Sequence, residues 1–114
     1  MAMLPGCALS PVDLPDGHRV AVTSDAFRDY AEQVFRRQNR ALDELIGLQQ
    51  SVDGDEYFQP EQDIVEACSD LNRLAALRRD GRAAGIGLKR RLPRTVVACD
   101  KTVLRVERLL APAS

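Results

Sequence analysis

Residues 88–110, LKRRLPRTVVACDKTVLRVERLL, constrain the fold more than any other part of the chain. Apolar side chains recur there at steps of three and four residues, which places them on one face of an α-helix. This apolar stripe consists of Leu92, Val96, Cys99, Val103, Val106 and Leu110. Because such a stripe must be covered by other elements, the segment predicts a helix that packs against partner helices.

Pro93 sets the predicted start of this helix. A proline in a helix interior cannot bond to the carbonyl of Lys89 and its ring crowds that carbonyl, whereas at the first helical position it has neither effect. We therefore predict that the regular helix covers residues 93–110. Residues 88–92 are expected to form a separate turn or a kinked lead-in.

A second helix is predicted over about residues 24–50. Ser24 and Asp25 offer side chains that cap the free N–H groups of a first helical turn, and apolar residues follow with helical spacing. Gln38 and Asn39 interrupt this apolar face. We interpret the interruption as a hydrogen-bonded polar group in the core, or as a stretch where the helix passes the edge of its neighbours, in preference to a binding site.

A third helix is predicted over about residues 60–82. Pro60 suits a first helical position, and Ile64 and Cys68 continue with helical spacing. Cys68 then faces inward as a small buried apolar side chain. Gly81 and the glycines after it are expected to end this helix and to open a turn.

A short β-hairpin is predicted over residues 11–22. Alternating valines flank Pro15, Asp16 and Gly17. Proline presets the first turn position, and glycine supplies the left-handed residue of a three-residue loop with a bulge. Because two strands alone are marginal in water, the hairpin should pack on the helices.

One domain is expected, because 114 residues can bury about two thirds of the surface of the unfolded chain. A content of 45% hydrophobic and 29% charged residues is typical of a globular chain and argues against disorder. We therefore predict a mainly α fold, an antiparallel three-helix bundle with a short N-terminal β-hairpin. This single helical domain covers residues 10–114 and follows a flexible N-terminal tail of residues 1–9.

The charge is segregated along the chain. Residues 1–77 carry six basic and fourteen acidic residues, a net of -8, whereas residues 78–114 carry ten basic and three acidic residues, a net of +7. The favoured interpretation is that the basic part docks on the acidic part within the molecule. The alternative is that it binds an external anion.

The cysteines predict the compartment. Cys7, Cys68 and Cys99 show no metal-ligand spacing, and an odd number does not fit a closed disulfide framework. We therefore expect reduced thiols, a cytoplasmic location, and neither metal nor cofactor. No run approaches the roughly 18 apolar residues of a membrane span, and fourteen arginines against two lysines suggest a GC-rich bacterial genome.

The function predicted from these features is binding to protein. Because no group of polar residues has the pattern of an acid-base, nucleophilic or metal site, we expect that the protein is not an enzyme. We predict a small cytoplasmic helical protein-protein interaction module, a regulator, adaptor or chaperone-like protein that binds another protein or a second copy of itself. The predicted partner-binding residues are Tyr57, Phe58, Val97, Leu104 and Leu109. For Tyr57 and Phe58 the favoured interpretation is that they cover one end of the core, and the alternative is that they anchor a protein interface.

The second hypothesis is nucleic-acid or other polyanion binding through the basic segment 78–94. The residues that would carry it are Arg78, Arg79, Arg82, Lys89, Arg90, Arg91 and Arg94. The acidic residues upstream and the absence of interleaved aromatic residues weigh against it. A third hypothesis is that this glycine- and arginine-rich turn binds a small anionic ligand.

Overall fold

The computed structural model describes residues 11–21, 24–51 and 53–112. They form strands β1 (Pro11–Asp13) and β2 (Arg19–Ala21), helices α1 (Asp25–Gln49), α2 (Phe58–Ala67), α3 (Ser69–Arg79) and α4 (Ile86–Leu110), and a 3-10 turn (Gly54–Tyr57) before α2. The fold is mainly α with a small antiparallel sheet, as predicted. The predicted three-helix bundle is wrong in its number of helices, because the described residues contain four. The predicted tail of residues 1–9 and Val22 of the predicted hairpin lie outside the described residues.

The N-terminal hairpin forms with the predicted turn chemistry. Val12 lies opposite Val20 in the two-stranded ladder. Leu14 donates its N–H to the carbonyl of His18 at 2.8 Å, and Gly17 has the left-handed φ of 95° that the three-residue loop requires. Both valines pack against the helical core, so the hairpin is supported by the helices.

The predicted helix over residues 60–82 is divided at Cys68. This residue has φ -101° and ψ 10°, outside the regular helical values, and it separates α2 from α3. Ser69 and Asp70 follow, and both residue types are favoured in the first turn of a new helix. The rod formed by α2 and α3 therefore bends at one residue.

Cys68 is bonded to Cys99 of α4. The two Cα atoms are 4.7 Å apart, and both side chains are fully buried. The prediction that Cys68 is buried is confirmed, but the prediction that these cysteines are reduced thiols is wrong. The odd number was misleading because two of the three cysteines pair with each other, and the third, Cys7, lies outside the described residues.

The start of the last helix also differs from the prediction. Helix α4 begins at Ile86, and Pro93 lies inside it. An interior proline costs about 3 kcal/mol. Leu88 and Leu92 precede it in the helix and are buried in the core at 5% and 8% exposure, and burial of two leucines contributes about 3 to 6 kcal/mol. Packing therefore outweighs the local cost of the proline.

Helix α1 runs antiparallel to the bent rod of α2 and α3. Gln49, at the end of α1, bonds to Glu61 near the start of α2, whereas Gln38 bonds to Asn72 in α3. The Gln38 and Asn72 amides exchange two hydrogen bonds of 2.8 and 2.9 Å, and Gln38 has no exposed surface. The prediction of a hydrogen-bonded polar group in the core is confirmed for Gln38, whereas Asn39 is exposed.

Helix α4 also runs antiparallel to the bent rod. Arg91 pairs with Asp70 of α3 at 3.1 Å, and further along α4 Arg105 pairs with Asp63 of α2 at 3.8 Å. Helices α1 and α4 are therefore parallel to each other, and both begin at the end of the bundle where α3 ends.

The core lies between these helices and is largely aliphatic. Its buried apolar residues are Phe27, Ala31, Val34, Ala41, Leu45, Ile64, Cys68, Leu71, Leu88, Leu92, Val96, Cys99, Val103 and Val106. The apolar stripe of α4 predicted from the sequence is thus buried apart from Leu110, which is half-buried. Among the described helices, none is both long and apolar enough to cross a membrane.

Candidate functional site

The connection from α3 to α4 turns the chain back across the end of the bundle. Gly81 has a left-handed φ of 70° and donates its N–H to the carbonyl of Arg78 at 3.1 Å, while Arg82 donates its N–H to the carbonyl of Leu77 at 2.8 Å. These two bonds form a Schellman motif, which glycine favours because it has no Cβ. The motif directs Arg82 and the two alanines after it along the bundle end.

A cleft of about 580 Å³ lies at this end. We call it the basic cleft; its walls are the start of α1, the end of α3, the connection after α3 and the start of α4. Its apolar surface comes from Phe27, Ala31, Leu74, Ala83, Ala84 and Leu92. Its polar surface comes from Ser24, Asp25, Arg28, Arg78, Arg82 and Lys89.

The rim of the basic cleft carries a net charge of +3, because four basic side chains stand against one carboxylate. Arg28 pairs with that carboxylate, Asp25, at 3.0 Å. Within the part of the chain that the structure describes, Arg78, Arg82 and Lys89 form no ion pair. Three cations therefore lie beside an apolar surface without an ion-pair partner among the described residues.

The structure brings three of the seven predicted anion-binding residues into this cleft, and the other four lie outside it. Arg79 faces Asp80 at 3.9 Å, Arg91 pairs with Asp70, and Arg90 is exposed. Arg94 lines a separate hollow beside the hairpin. The hydrogen bond from Arg91 lowers the pKa of Asp70 from its ordinary value, so this pair fastens α4 to α3.

Arg28 is the cleft cation that the sequence analysis missed. It lies in the first turn of α1, some fifty residues from Arg78 in the chain. The predicted antiparallel packing could have indicated Arg28, because in an antiparallel pair the start of one helix lies beside the end of the other.

The predicted partner-binding residues do not form one surface. Phe58 and Leu109 are 56% and 55% exposed, whereas Tyr57, Val97 and Leu104 are half-buried. Val97 lines the hollow between α4 and the hairpin, so β1 partly covers it. A hydrogen bond with the Glu56 carboxylate raises the pKa of the Tyr57 hydroxyl.

The opposite end of the bundle is acidic. Residues 43–66, which we call the acidic end, carry eight acidic residues and no basic residue. The basic end, residues 78–94, carries seven basic residues and one acidic residue. Because α1 has 25 residues and its start and end border these two regions, the two ends lie roughly 37 Å apart.

Exposed apolar side chains accompany the acidic end. Ile46, Phe58 and Val65 belong to it and are 45%, 56% and 47% exposed. Leu109 lies in the last turn of α4, which ends on the same side of the bundle because α4 is parallel to α1. The acidic end therefore combines negative charge with apolar surface, as the core and rim of a protein interface do.

A buried polar network, which the sequence analysis did not identify, joins α1 to α4. Asp100 has a side chain only 5% exposed and accepts hydrogen bonds from the Tyr30 hydroxyl at 2.6 Å and from Arg37 at 3.0 Å. Arg37 also binds both carboxylate oxygens of Glu107. Because every member is hydrogen-bonded to another, the network stabilises the contact between the parallel helices α1 and α4.

These surfaces present charged side chains beside apolar ones. Cys68 is held in the disulfide and His18 is exposed in the hairpin loop, bonded to Asp16, so the two do not form a nucleophile and base. Among residues 11–21, 24–51 and 53–112, no three histidine, cysteine or acidic side chains converge on a common metal position. Comparison of the chain with protein-family models, with curated proteins and with solved structures finds no match.

Proposed function

We propose that this protein is a small protein-protein interaction module, a regulator, adaptor or chaperone-like protein that associates with a second copy of itself. The observation that carries the proposal is the separation of opposite charges to the two ends of the bundle, with exposed apolar side chains at the acidic end. A two-fold dimer with antiparallel protomers brings each acidic end against a basic end. A net charge of -1 offers little overall repulsion to such an association.

The ion pairs within the protomer involve only some of the charged residues at the two ends. Arg91 and Arg105 pair with acidic residues of α3 and α2, but Arg90 and Arg94 form no ion pair among the described residues. At the other end Asp43 and Glu44 are exposed on α1. These four exposed residues supply complementary contacts in an antiparallel dimer.

Complementary charge reversal tests the dimer. Asp43→Lys with Glu44→Lys reverses the two proposed contact charges of the acidic end and changes its net charge from -8 to -4. Arg90→Glu with Arg94→Glu reverses those of the basic end and changes its net charge from +6 to +2. Both pairs are compatible with folding, since lysine suits a helix C-terminal half and glutamate an N-terminal half. Sedimentation equilibrium should show a dimer for the wild type, monomers for each variant alone, and restored association when the variants are mixed.

A reversal in the middle of the bundle serves as the control. Arg36→Glu changes an exposed residue of α1 away from both ends and should leave the dimer intact. The wild-type dimer should weaken as salt rises from about 0.1 to 1 M, because the screening length falls from about 10 to 3 Å. A monomeric wild type at low salt, or a mixture that does not associate, would overturn the proposal.

The second candidate is polyanion binding by the basic end. Arg78, Arg82 and Lys89 without internal counter-charges favour it, while the pairing of Arg91 with Asp70 weakens it. Retention on generic DNA or RNA that falls steeply with salt would support this function. No retention at low salt would remove it.

The remaining expectations from the sequence are also proposals. We propose a bacterial origin and a module that acts without catalysis and without a cofactor. The disulfide sets a requirement for the proposed cytoplasmic location. Because disulfides are favoured in oxidising compartments, the bond between Cys68 and Cys99 must resist reduction by cellular reductants. Their complete burial limits access to both sulfurs. Alkylation of free thiols at the moment of cell lysis, followed by mass spectrometry, tests whether the bond is present in the cell.

A further inference from the structure

The basic cleft has an apolar wall and basic side chains at its opening, and different parts of one ligand can contact each of them. Phe27, Ala31 and Leu92 are buried core residues that reach its wall, and Ala83 is an exposed alanine of the connection. A ligand without an apolar part would leave this surface in contact with water. The apolar wall therefore favours a ligand with an alkyl chain or an aromatic ring.

The basic side chains at the opening of the cleft favour a ligand that also carries an anionic group. Arg78, Arg82 and Lys89 come from α3, the connection and α4, so three elements converge on one opening. Their charge is not neutralised by a described carboxylate, since Asp25 is already paired with Arg28. An anionic group at the opening would form charge-assisted hydrogen bonds with these side chains.

The dimensions select a small ligand over an extended polyanion. A volume of about 580 Å³ is within the range of pockets for small molecules. A nucleic acid would have to engage Arg90 and Arg94 as well, and these lie outside the cleft. Inorganic phosphate would use the cations but not the apolar wall.

We propose that the basic cleft binds one small amphipathic anion, an alkyl or aryl chain that carries a single carboxylate, sulfonate or phosphate group. The chain lies against Phe27 and Leu92, and the anionic group is held by Arg82 and Lys89. This inference goes beyond the proposed dimer: the dimer is tested at Arg90 and Arg94, which lie outside the cleft, whereas the cleft is tested by ligand binding.

Calorimetric titration with monomeric dodecanoate tests the proposal. Dodecanoate should bind with one site per chain. Dodecyltrimethylammonium, which has the same chain and the opposite charge, and acetate, which has the same charge without the chain, should not bind. Equal binding of the cationic amphiphile, or equal binding of acetate, would overturn the proposal.

Substitutions locate the site. Arg82→Gln and Lys89→Gln should each weaken dodecanoate binding about tenfold, since each removes a charge-assisted contact. Lys101→Gln is the matched control, because it removes an exposed lysine of the same helix outside the cleft. A loss for Lys101→Gln as large as that for Lys89→Gln would show nonspecific attraction and overturn the assignment.

A substitution in the cleft wall distinguishes binding inside the cleft from binding to any basic surface of the protein. Ala83→Glu places a carboxylate in the cleft at an exposed position, so the fold is preserved, and dodecanoate binding should be lost. Ala98→Glu, at an exposed position of α4 outside the cleft, should bind like the wild type. Binding to phosphatidylglycerol vesicles in place of monomeric dodecanoate would assign the surface to membranes and overturn the small-ligand site.

Discussion

Asp100 is a charged side chain that the bundle holds at 5% exposure by surrounding it with donors. The Tyr30 hydroxyl and the Arg37 guanidinium both bond to its carboxylate, at 2.6 and 3.0 Å. A buried charge is tolerated only when such partners replace water. Part of the contact between α1 and α4 is therefore concentrated in these few residues, unlike the surrounding aliphatic contacts.

Removal of this carboxylate should destabilise the fold. Asp100→Ala leaves the Tyr30 hydroxyl without its acceptor and Arg37 with only Glu107, and we expect a loss of about 2 to 3 kcal/mol in the free energy of unfolding. Urea denaturation followed by circular dichroism measures it. Asp80→Ala, at a side chain 59% exposed, is the control and should change stability by no more than about 0.5 kcal/mol. Equal effects would show that the network contributes nothing.

Tyr30 should resist ionisation as long as the protein is folded. Burial, and then the hydrogen bond to Asp100, raise its pKa far above the ordinary value of 10.0. Because the folded state keeps a proton that the unfolded state releases, this contribution to stability is complete below pH 10 or so and is lost as the pH rises further. In Tyr57→Phe, where Tyr30 is the remaining tyrosine, tyrosinate absorbance should appear only together with unfolding. Absorbance that rises with an ordinary pKa in a folded protein would contradict this.

At the scale of elements, the end of α3 depends on one glycine. Gly81 has a φ of 70°, so Gly81→Ala places a Cβ in the left-handed region and should cost about 1 kcal/mol although the space around it is open. Gly47, inside α1, is also open but has helical φ. Gly47→Ala should therefore stabilise by about 0.5 to 1 kcal/mol. Thermal denaturation of both variants measures these opposite signs, and the same sign for both would refute the backbone argument.

Local chemistry made the hairpin and α1 predictable from the sequence. The turn at Pro15, Asp16 and Gly17 depends on the intrinsic preferences of three adjacent residues. Ser24 accepts the N–H of Phe27 at 3.1 Å, which is the cap expected from its place before an apolar run. Gln38 was identified as a core polar group because it interrupts a helical stripe, although the sequence does not indicate its partner.

Long-range contacts made the bounds of the other helices unpredictable. The interior position of Pro93 depends on the burial of Leu88 and Leu92 against other helices, which no local pattern reveals. The bend between α2 and α3 coincides with Cys68, whose partner is 31 residues away. The candidate cleft was found only in part, because its cation from α1 joins the others through the tertiary fold.

At the scale of the whole molecule, the disulfide joins the bend of one rod to the middle of α4. A bond between residues separated by 31 positions restricts the unfolded chain and should contribute about 3 to 4 kcal/mol to stability. Replacing both cysteines, Cys68→Ala with Cys99→Ala, should lower the urea midpoint accordingly. Dithiothreitol should lower the midpoint of the wild type and leave that of the double variant unchanged. A double variant that still responds to the reductant would show that another bond is responsible.

The same bond governs what happens when the chain is cut. Arg82 is exposed in the connection between α3 and α4, just after the exposed Arg78 and Arg79 in the last turn of α3, and all three are cleavage sites for trypsin. A single nick there lies inside the segment that Cys68 and Cys99 close into a ring. The two fragments would migrate as one species until a reductant separates them, so the cleft could lose the continuity of its backbone while its two walls stay covalently attached to each other.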